Sequence, residues 1–161
     1  MSVTEIDGIY CKVDELCLDA NERNELKVIA DIITFDQYFD VTYNLPDNNL
    51  IGQVTESLPE WFQLKAEKFL VEGWPIFLKN KGDVIRHTDD KRSCSITIPL
   101  NRSNTPTVFD YNTKLYHNGD TYLQNNQVTH RVPRAEEYRY FLQISFEQSY
   151  EHIKSMLNKY N

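Results

Sequence analysis

Asp83-Val84-Ile85-Arg86-His87-Thr88-Asp89-Asp90, followed closely by Ser93-Cys94-Ser95-Ile96-Thr97-Ile98-Pro99-Leu100, is the stretch on which the reading of this chain turns. If 84–89 is extended, the two-residue side-chain period puts His87 and Asp89 on one face, where an imidazole and a carboxylate reach the same metal ion. In 93–100 the alternation is regular, with Cys94, Ile96, Ile98 and Leu100 on one face and Ser93, Ser95, Thr97 and Pro99 on the other. An apolar back and a small, polar front suit a strand that walls a binding cavity.

A third ligand must come from another strand. The best candidate is His130, within the β-favouring run Gln127-Val128-Thr129-His130-Arg131-Val132. Two histidines and one carboxylate leave half an octahedron open, the arrangement that suits a non-heme Fe(II) oxygenase. Alone, the His-x-Asp pair reads more commonly as an exposed strand end, since the chain has four histidines and twenty-four acidic residues. The other histidines are expected at the surface: His117 in a turn beside Asn118-Gly119, and His152 among charges on a terminal helix.

Downstream, short runs at 107–110, 114–117, 121–125 and 127–132 are separated by Tyr111-Asn112 and Asn118-Gly119-Asp120. Many short strands with Asn and Gly turns predict a mainly β fold, a barrel or jelly roll. The last strand, 138–146, repeats the alternation: Tyr140, Leu142, Ile144 and Phe146 on the back, Arg139, Phe141, Gln143 and Ser145 on the front. The turn-like Pro133-Arg134-Ala135-Glu136-Glu137 lets this strand fold back and carry Arg139 towards His130. A guanidinium is costly to hold in a partly buried site unless it meets an anion, and its planar fork fits a carboxylate. An Fe(II) site with an arginine at its floor therefore suggests a dicarboxylate co-substrate. The alternative is a strand arginine paired with Glu136 or Glu137.

Upstream, Ser57-Leu58-Pro59-Glu60 reads as a helix start, with Ser57 as N-cap and Glu60 as its capping-box partner. Leu58, Trp61, Phe62, Ala66, Phe69 and Leu70 mark one apolar face, and Gly73 ends the helix. This helix, 57–73, is expected to lie across the apolar backs of the two long strands. Residues 75–79 and 83–89 read as strands joined in a hairpin by Asn80-Lys81-Gly82. Residues 1–56 form an N-terminal extension of uncertain structure: 9–13 looks extended, 26–34 is read as strand rather than buried helix from its β-branched content, and Leu45-Pro46-Asp47-Asn48-Asn49 is a turn. A closing helix, 149–160, carries Tyr150, Ile153 and Leu157 at helical spacing.

The length of 161 residues predicts a single domain, 1–161, with its jelly-roll core at 74–147. A hydrophobic fraction of 40% and an aromatic fraction of 12% are those of a folded chain. A formal charge of -7 argues against nucleic acid as a partner held by the overall field. Lys91, Arg92, Arg131 and Arg134 flank the proposed ligands as a basic mouth or as solvated loop charges. Cys11, Cys17 and Cys94 have no zinc-type spacing and are odd in number, which fits a reducing compartment. With neither a signal-peptide pattern nor a run of about twenty apolar residues, the expectation is a cytoplasmic protein without membrane contact.

Taken together, His87-x-Asp89, a distal His130 and Arg139 nine residues later resemble the Fe(II)/2-oxoglutarate-dependent dioxygenases. The stretch 87–101, with Arg92 and the strand end Leu100-Asn101, is most similar to the prolyl-hydroxylase-like branch. The resemblance covers about residues 74–147. It implies a mainly β, cupin-like double-stranded β-helix (jelly roll) with a few helices packed on the major sheet. In it His87, Asp89 and His130 hold Fe(II), and Arg139 pairs with the distal carboxylate of 2-oxoglutarate. Members of that family use molecular oxygen to decarboxylate 2-oxoglutarate to succinate and carbon dioxide while hydroxylating a C–H bond, here of a peptide side chain or a small molecule. The branch often supplies a tyrosine on the strand before His-x-Asp, and Phe77 stands there instead; Thr97 and Tyr122 are further candidates for the co-substrate by their facing. A non-catalytic jelly-roll binding module and a cupin-type iron enzyme that does not use 2-oxoglutarate are the competing readings.

Overall fold

The structure, a computed structural model, describes residues 4–32, 36–37, 49–53 and 58–161, with the side chains of 36–37 and 49–53 excepted. In chain order the elements are β1 Glu5–Ile6, β2 Tyr10–Lys12, α1 Ala20–Ile32, β3 Asp36–Gln37, β4 Asn49–Gln53, α2 Glu60–Lys65, α3 Glu67–Glu72, β5 Trp74–Asn80, β6 Val84–His87, β7 Cys94–Pro99, β8 Thr107–Phe109, β9 Thr113–Leu115, β10 Tyr122–Asn125, β11 His130–Val132, β12 Arg139–Phe146 and α4 Tyr150–Ser155. The large sheet runs β1-β2-β10-β7-β12-β5-β4-β3 and the small one β6-β11-β8-β9.

From β5 onward the chain repeatedly crosses between the sheets: β5, β7, β10 and β12 lie in the large one, and β6, β8 and β11 fall between them in sequence but in the small one. This winding makes the two-sheet jelly roll, with the polar fronts of the large sheet facing the small sheet. The connection 80–82 is therefore not the hairpin expected from its composition. β5 pairs with β12 and β4, whereas β6 pairs with β11. The crossing is held by Ala135 N–H, which donates to the Lys81 carbonyl at 2.9 Å, and by the Arg139 guanidinium, which donates to Asn80 Oδ1 and the Gly82 carbonyl.

The apolar backs pair as the alternation requires, with Leu142 opposite Ile98 and Ile144 opposite Ile96. Together with Cys94, Leu100 and Phe146 they pack beneath Leu58, Phe62, Ala66 and Phe69 in one buried cluster, against which Tyr140 packs partly exposed. Full burial of each large side chain stabilises by roughly 1.5 to 3 kcal/mol, so this layer is a major part of the core. Tyr150, Ile153 and Leu157 join it from the closing helix, whose first turn is capped by Ser149 Oγ accepting from His152 N–H.

The helix read over 57–73 is two short helices, broken at Ala66, where φ -100 and ψ 7 leave the helical region. It starts at Glu60 with Pro59 before it, not at a Ser57 cap, and Ser57 lies outside the described residues. Gly73 does end it, but in extended backbone rather than the left-handed conformation. Glycine is needed for another reason: a Cβ there would stand 2.6 Å from the Ser145 carbonyl oxygen and 2.7 Å from the Phe146 ring.

Residues 1–56 are more than an extension. β2, within the expected 9–13, pairs with β10, while β4 pairs with β5, so this part widens both edges of the large sheet. Of 26–34, expected to be a strand, residues 33–34 lie outside the described residues and 26–32 belong to α1. Its signal is a reciprocal capping box, Asp19 Oδ1 accepting from Glu22 N–H at 2.8 Å and Glu22 Oε1 accepting from Asp19 N–H at 3.0 Å, with Leu26 and Ala30 buried one turn apart. Caps and tertiary burial outweigh the weak propensity of its β-branched residues. Of the expected turn 45–49, residues 45–48 lie outside the described residues and Asn49 opens β4. Among the described residues no helix is long and apolar enough to cross a membrane.

Candidate metal centre

His87 ends β6 and His130 opens β11, and the two are direct cross-strand partners. Their rings lie 4.3 Å apart between centroids. Asp89 follows the strand in a loop tied to the next layer. Its N–H donates to the Asn126 carbonyl at 3.1 Å, and its carbonyl accepts from Gln127 Nε2 at 2.9 Å. The result is a buried group in which one ligand atom from each of His87, Asp89 and His130 lies within 4.8 Å of the others.

The orientation of the rings is fixed. His87 Nδ1–H donates to the Ile85 carbonyl at 2.6 Å and His130 Nδ1–H to the Val128 carbonyl at 2.8 Å. A carbonyl can only accept, so each Nδ1 carries the proton and each Nε2 presents its lone pair inward. Asp89 Oδ1 lies 3.0 Å from His87 Nε2 and 3.9 Å from His130 Nε2. A neutral imidazole has one N–H, already used at Nδ1, so a lone pair facing a carboxylate oxygen at 3.0 Å calls for a positive charge between them, a proton or a metal ion. This donor set fits a divalent transition metal.

The charges agree. Burial by itself raises the Asp89 carboxyl, but the contact with His87 and the charge and hydrogen bond of Arg92 outweigh it and hold the group well below the usual carboxylate range. Burial lowers His130, only partly offset by Asp89, which favours the neutral imidazole a metal needs.

Arg92, expected at a basic mouth, is turned inward. Its Nε donates to Asp89 Oδ2 at 2.8 Å, and its Nη1 donates to Gln143 Oε1 at 2.7 Å and Ser145 Oγ at 3.2 Å. From Gln143 a chain of side-chain hydrogen bonds crosses the front of the large sheet: Gln143 Nε2 to Thr97 Oγ1, Thr97 Oγ1 to Gln124 Oε1, Gln124 Nε2 to Asn126 Oδ1 and Asn126 Nδ2 to Ser95 Oγ. The polar front expected of β7 thus becomes one wall of a cavity of about 90 Å³ between the sheets, lined also by His87, His130, Thr107 and His117. Of the other basic-mouth residues, Lys91, Arg131 and Arg134 are exposed.

Arg139 is 1% exposed at the start of β12. Its Nη1 donates to the Pro133 carbonyl at 2.9 Å, and its Nη2 takes the Asn80 and Gly82 oxygens; Nε has no hydrogen-bond partner. Among the described residues no carboxylate lies within ion-pair distance of it, so pairing with Glu136 or Glu137 is not what occupies it. Burial lowers it to about 10, which leaves it charged at neutral pH.

Thr97 lines the cavity, whereas Tyr122 packs with Tyr10, Phe109 and Leu115 in a separate apolar cluster. Phe77 is fully buried on the back of the large sheet beneath the helices. His152 is half-exposed, 3.4 Å from Glu72. His117 is 3% exposed rather than on a turn surface, because β9 ends just before it and its ring packs edge-on to Phe141 at 5.1 Å. Asn118-Gly119 do bend the chain, but only after His117. The inward turn of Arg92 was detectable in its spacing, three residues from Asp89, and Gln124 and Thr107 carried no signal of their own.

No family model matches the chain, and no curated protein matches it. Solved structures do. A prolyl hydroxylase from Trichoplax adhaerens, in complex with a hypoxia inducible factor oxygen degradation domain peptide fragment, is similar at 13% identity over 92% of this chain and 88% of that one, TM-score 0.63. A viral collagen prolyl hydroxylase from Paramecium Bursaria Chlorella virus-1, as its 2OG complex, matches at 14% identity over 86% and 95%, TM-score 0.60. A Pseudomonas putida prolyl-4-hydroxylase matches at 14% identity over 87% and 93%, TM-score 0.57. The chain therefore has the jelly-roll fold shared by these prolyl hydroxylases and other 2OG-Fe(II) oxygenases.

Proposed function

We propose that this chain is an Fe(II)- and 2-oxoglutarate-dependent dioxygenase that hydroxylates a C–H bond of a peptide side chain or a small molecule. The observation that carries the reading is the buried His87, Asp89 and His130 group, with both Nε2 lone pairs turned inward, in a fold shared with such enzymes. Arg139 adds to it as a buried, charged guanidinium with an unpartnered Nε and, among the described residues, no carboxylate within ion-pair distance.

His87, Asp89 and His130 would hold Fe(II), which with 2-oxoglutarate and oxygen would supply the oxidant for the C–H bond, with succinate and carbon dioxide as co-products. Arg92 fixes the Asp89 carboxylate by its outer oxygen, so Oδ1 faces the histidines. Arg139 takes the distal carboxylate of 2-oxoglutarate. In the wall of Thr97, Gln124 and Gln143, the second amide hydrogens of Gln124 and Gln143 are left to donate to oxygen atoms along the bound acid. The binding-module and cupin readings account for the bonds of Arg139 to the Pro133, Asn80 and Gly82 oxygens but give its unpartnered Nε no anion. A cytoplasmic setting belongs to the same proposal and is supported by three free cysteines, Cys11, Cys17 and Cys94.

The test is succinate formation by protein loaded anaerobically with Fe(II), then given oxygen, 2-oxoglutarate and panels of peptides and metabolites. Release of succinate above the metal-free control is expected, increased by the true substrate. Absence of succinate under all conditions, from protein that binds one Fe(II), overturns the reading.

A further inference from the structure

His117 lies outside the metal group and has no place in the expected machinery, yet it is a buried imidazole lining the same cavity as His87 and His130. Its Nε2 stands 3.0 Å from Thr107 Oγ1 and its Nδ1 has no hydrogen-bond partner among the described residues. A buried, unpartnered ring nitrogen is destabilising, so a native fold that keeps one calls for an explanation. The threonine hydroxyl can rotate to donate to Nε2, and the proton is then at Nδ1.

The surroundings say what such a donor would meet. His117 packs on Phe141, which stands two residues after Arg139 on the same face of β12. Arg139 Nε is the other unpartnered buried nitrogen of this neighbourhood. Burial, and secondarily the charge of Arg139, push His117 down to about 4, so the ring is neutral and adds a donor without a second positive charge. Two idle N–H groups beside one cation complement a group that only accepts and carries one negative charge, which is a carboxylate. The cavity is small, and His87 and His130 line it too, so one short molecule can chelate the metal with one end and extend the other towards His117.

We infer that His117 is a specificity-determining residue for the co-substrate, its Nδ1–H donating to the distal carboxylate that Arg139 holds. The inference rests on the dioxygenase reading and adds a residue to it. Neither the pairing of His117 with Thr107 nor its contact with Phe141 points to a dicarboxylate; the two unpartnered nitrogens are what a distal carboxylate would satisfy.

The experiment is anaerobic calorimetry with Mn(II) in place of iron, titrating 2-oxoglutarate and, separately, 2-oxopentanoate, which has the same chain length without the distal carboxylate. His117→Phe keeps a flat ring against Phe141 and removes the donor. It should weaken 2-oxoglutarate about tenfold to a hundredfold, the range for a lost hydrogen bond to a charged group, and leave 2-oxopentanoate unchanged. His117→Asn, whose Nδ2–H reaches nearly the same place, should recover most of the affinity. Equal binding of 2-oxoglutarate by parent and His117→Phe overturns the inference. So does an equal loss of both acids, which marks a packing role. A parent that binds Mn(II) but neither acid defeats the dioxygenase reading itself. If His117→Phe does not fold, His117→Ala against His117→Asn makes the same comparison.

Discussion

Arg92 holds Asp89 from behind: its Nε donates to Asp89 Oδ2 at 2.8 Å while Oδ1 of the same carboxylate sits 3.0 Å from His87 Nε2. One oxygen is occupied by a fixed cation, and the other is aimed at the histidines. Arg92 itself cannot swing away easily, because Gln143 and Ser145 hold its Nη1.

Removing that support should loosen the metal without removing a ligand. Arg92→Ala is expected to lower Fe(II) affinity about tenfold to a hundredfold, as loss of a partner behind a metal ligand commonly does. Arg92→Lys should recover only part, since a lysine cannot donate to Asp89, Gln143 and Ser145 in one plane. Competition against a chelator of known affinity reads both values. Undiminished affinity in Arg92→Ala would show that the loop bonds of Asp89 to Asn126 and Gln127 suffice to aim the carboxylate.

His87→Ala and His130→Ala should each abolish stoichiometric Fe(II) binding. Each removes an imidazole whose Nδ1–H is already committed to a carbonyl, so that Nε2 is the nitrogen left to face the metal group. Iron measured per chain after anaerobic gel filtration checks this, with thermal unfolding to show that the variants are folded. One Fe(II) per chain in both variants would mean that the metal sits elsewhere.

Much of this site was legible because its residues lie on strands of unbroken alternation. Cys94, Ile96, Ile98 and Leu100 went to the core, and Ser95 and Thr97 to the front, from period alone. His87, Asp89 and His130 were picked out by residue type and facing, and they meet because β6 pairs with β11, a pairing the expected 80–82 hairpin did not contain. What could not be read depended on partners far away in sequence. His117 looks like a turn residue until Thr107 and Phe141 close over it, α1 looks like a strand until its capping box is noticed, and the 80–82 connection looks like a hairpin until β12 takes the edge of β5.

Gly73→Ala should destabilise the protein by about 1 to 3 kcal/mol, the usual cost of an added group in a packed place. The backbone there is extended and any residue could adopt it, so the whole effect comes from the 2.6 Å approach to the Ser145 carbonyl and the contact with the Phe146 ring. Urea unfolding measures it. A variant as stable as the parent would mean that α3 and β12 can move apart at no cost.

His117 should also set part of the acid stability. Burial pushes it down from 6.5 to about 4, so between those values the unfolded chain binds a proton that the fold refuses. Stability from this group is complete above about pH 6.5 and is lost as pH falls towards 4. The full gap corresponds to roughly 3 kcal/mol, and at pH 5 about 2 kcal/mol should already be gone. His117→Asn does not titrate, so its unfolding free energy should rise relative to the parent by that amount between pH 7 and pH 5. His130 acts on both proteins alike and cancels in the difference. Parallel profiles would mean that His117 takes up its proton freely in the folded state.

Arg139 is the residue on which the co-substrate depends. Arg139→Ala should leave Fe(II) bound, because no ligand of the metal group touches it, but should raise the concentration of 2-oxoglutarate needed for half-maximal turnover steeply. A charge-assisted contact through the unpartnered Nε is lost and a carboxylate is left near buried apolar groups, for roughly 2 to 4 kcal/mol or about thirtyfold to nearly a thousandfold in affinity. The same side chain also donates to the Pro133, Asn80 and Gly82 oxygens across the β5–β6 crossing, so the variant should unfold at lower urea as well. Arg139→Lys separates the two effects: it keeps the charge, loses the fork, and should regain part of the affinity while meeting fewer of those oxygens. Calorimetry with a redox-inert metal measures binding, and folding is checked at the same temperature. If folded Arg139→Ala binds 2-oxoglutarate as tightly as the parent, Arg139 only pins the crossing between the sheets, and the co-substrate must find its anion partner elsewhere.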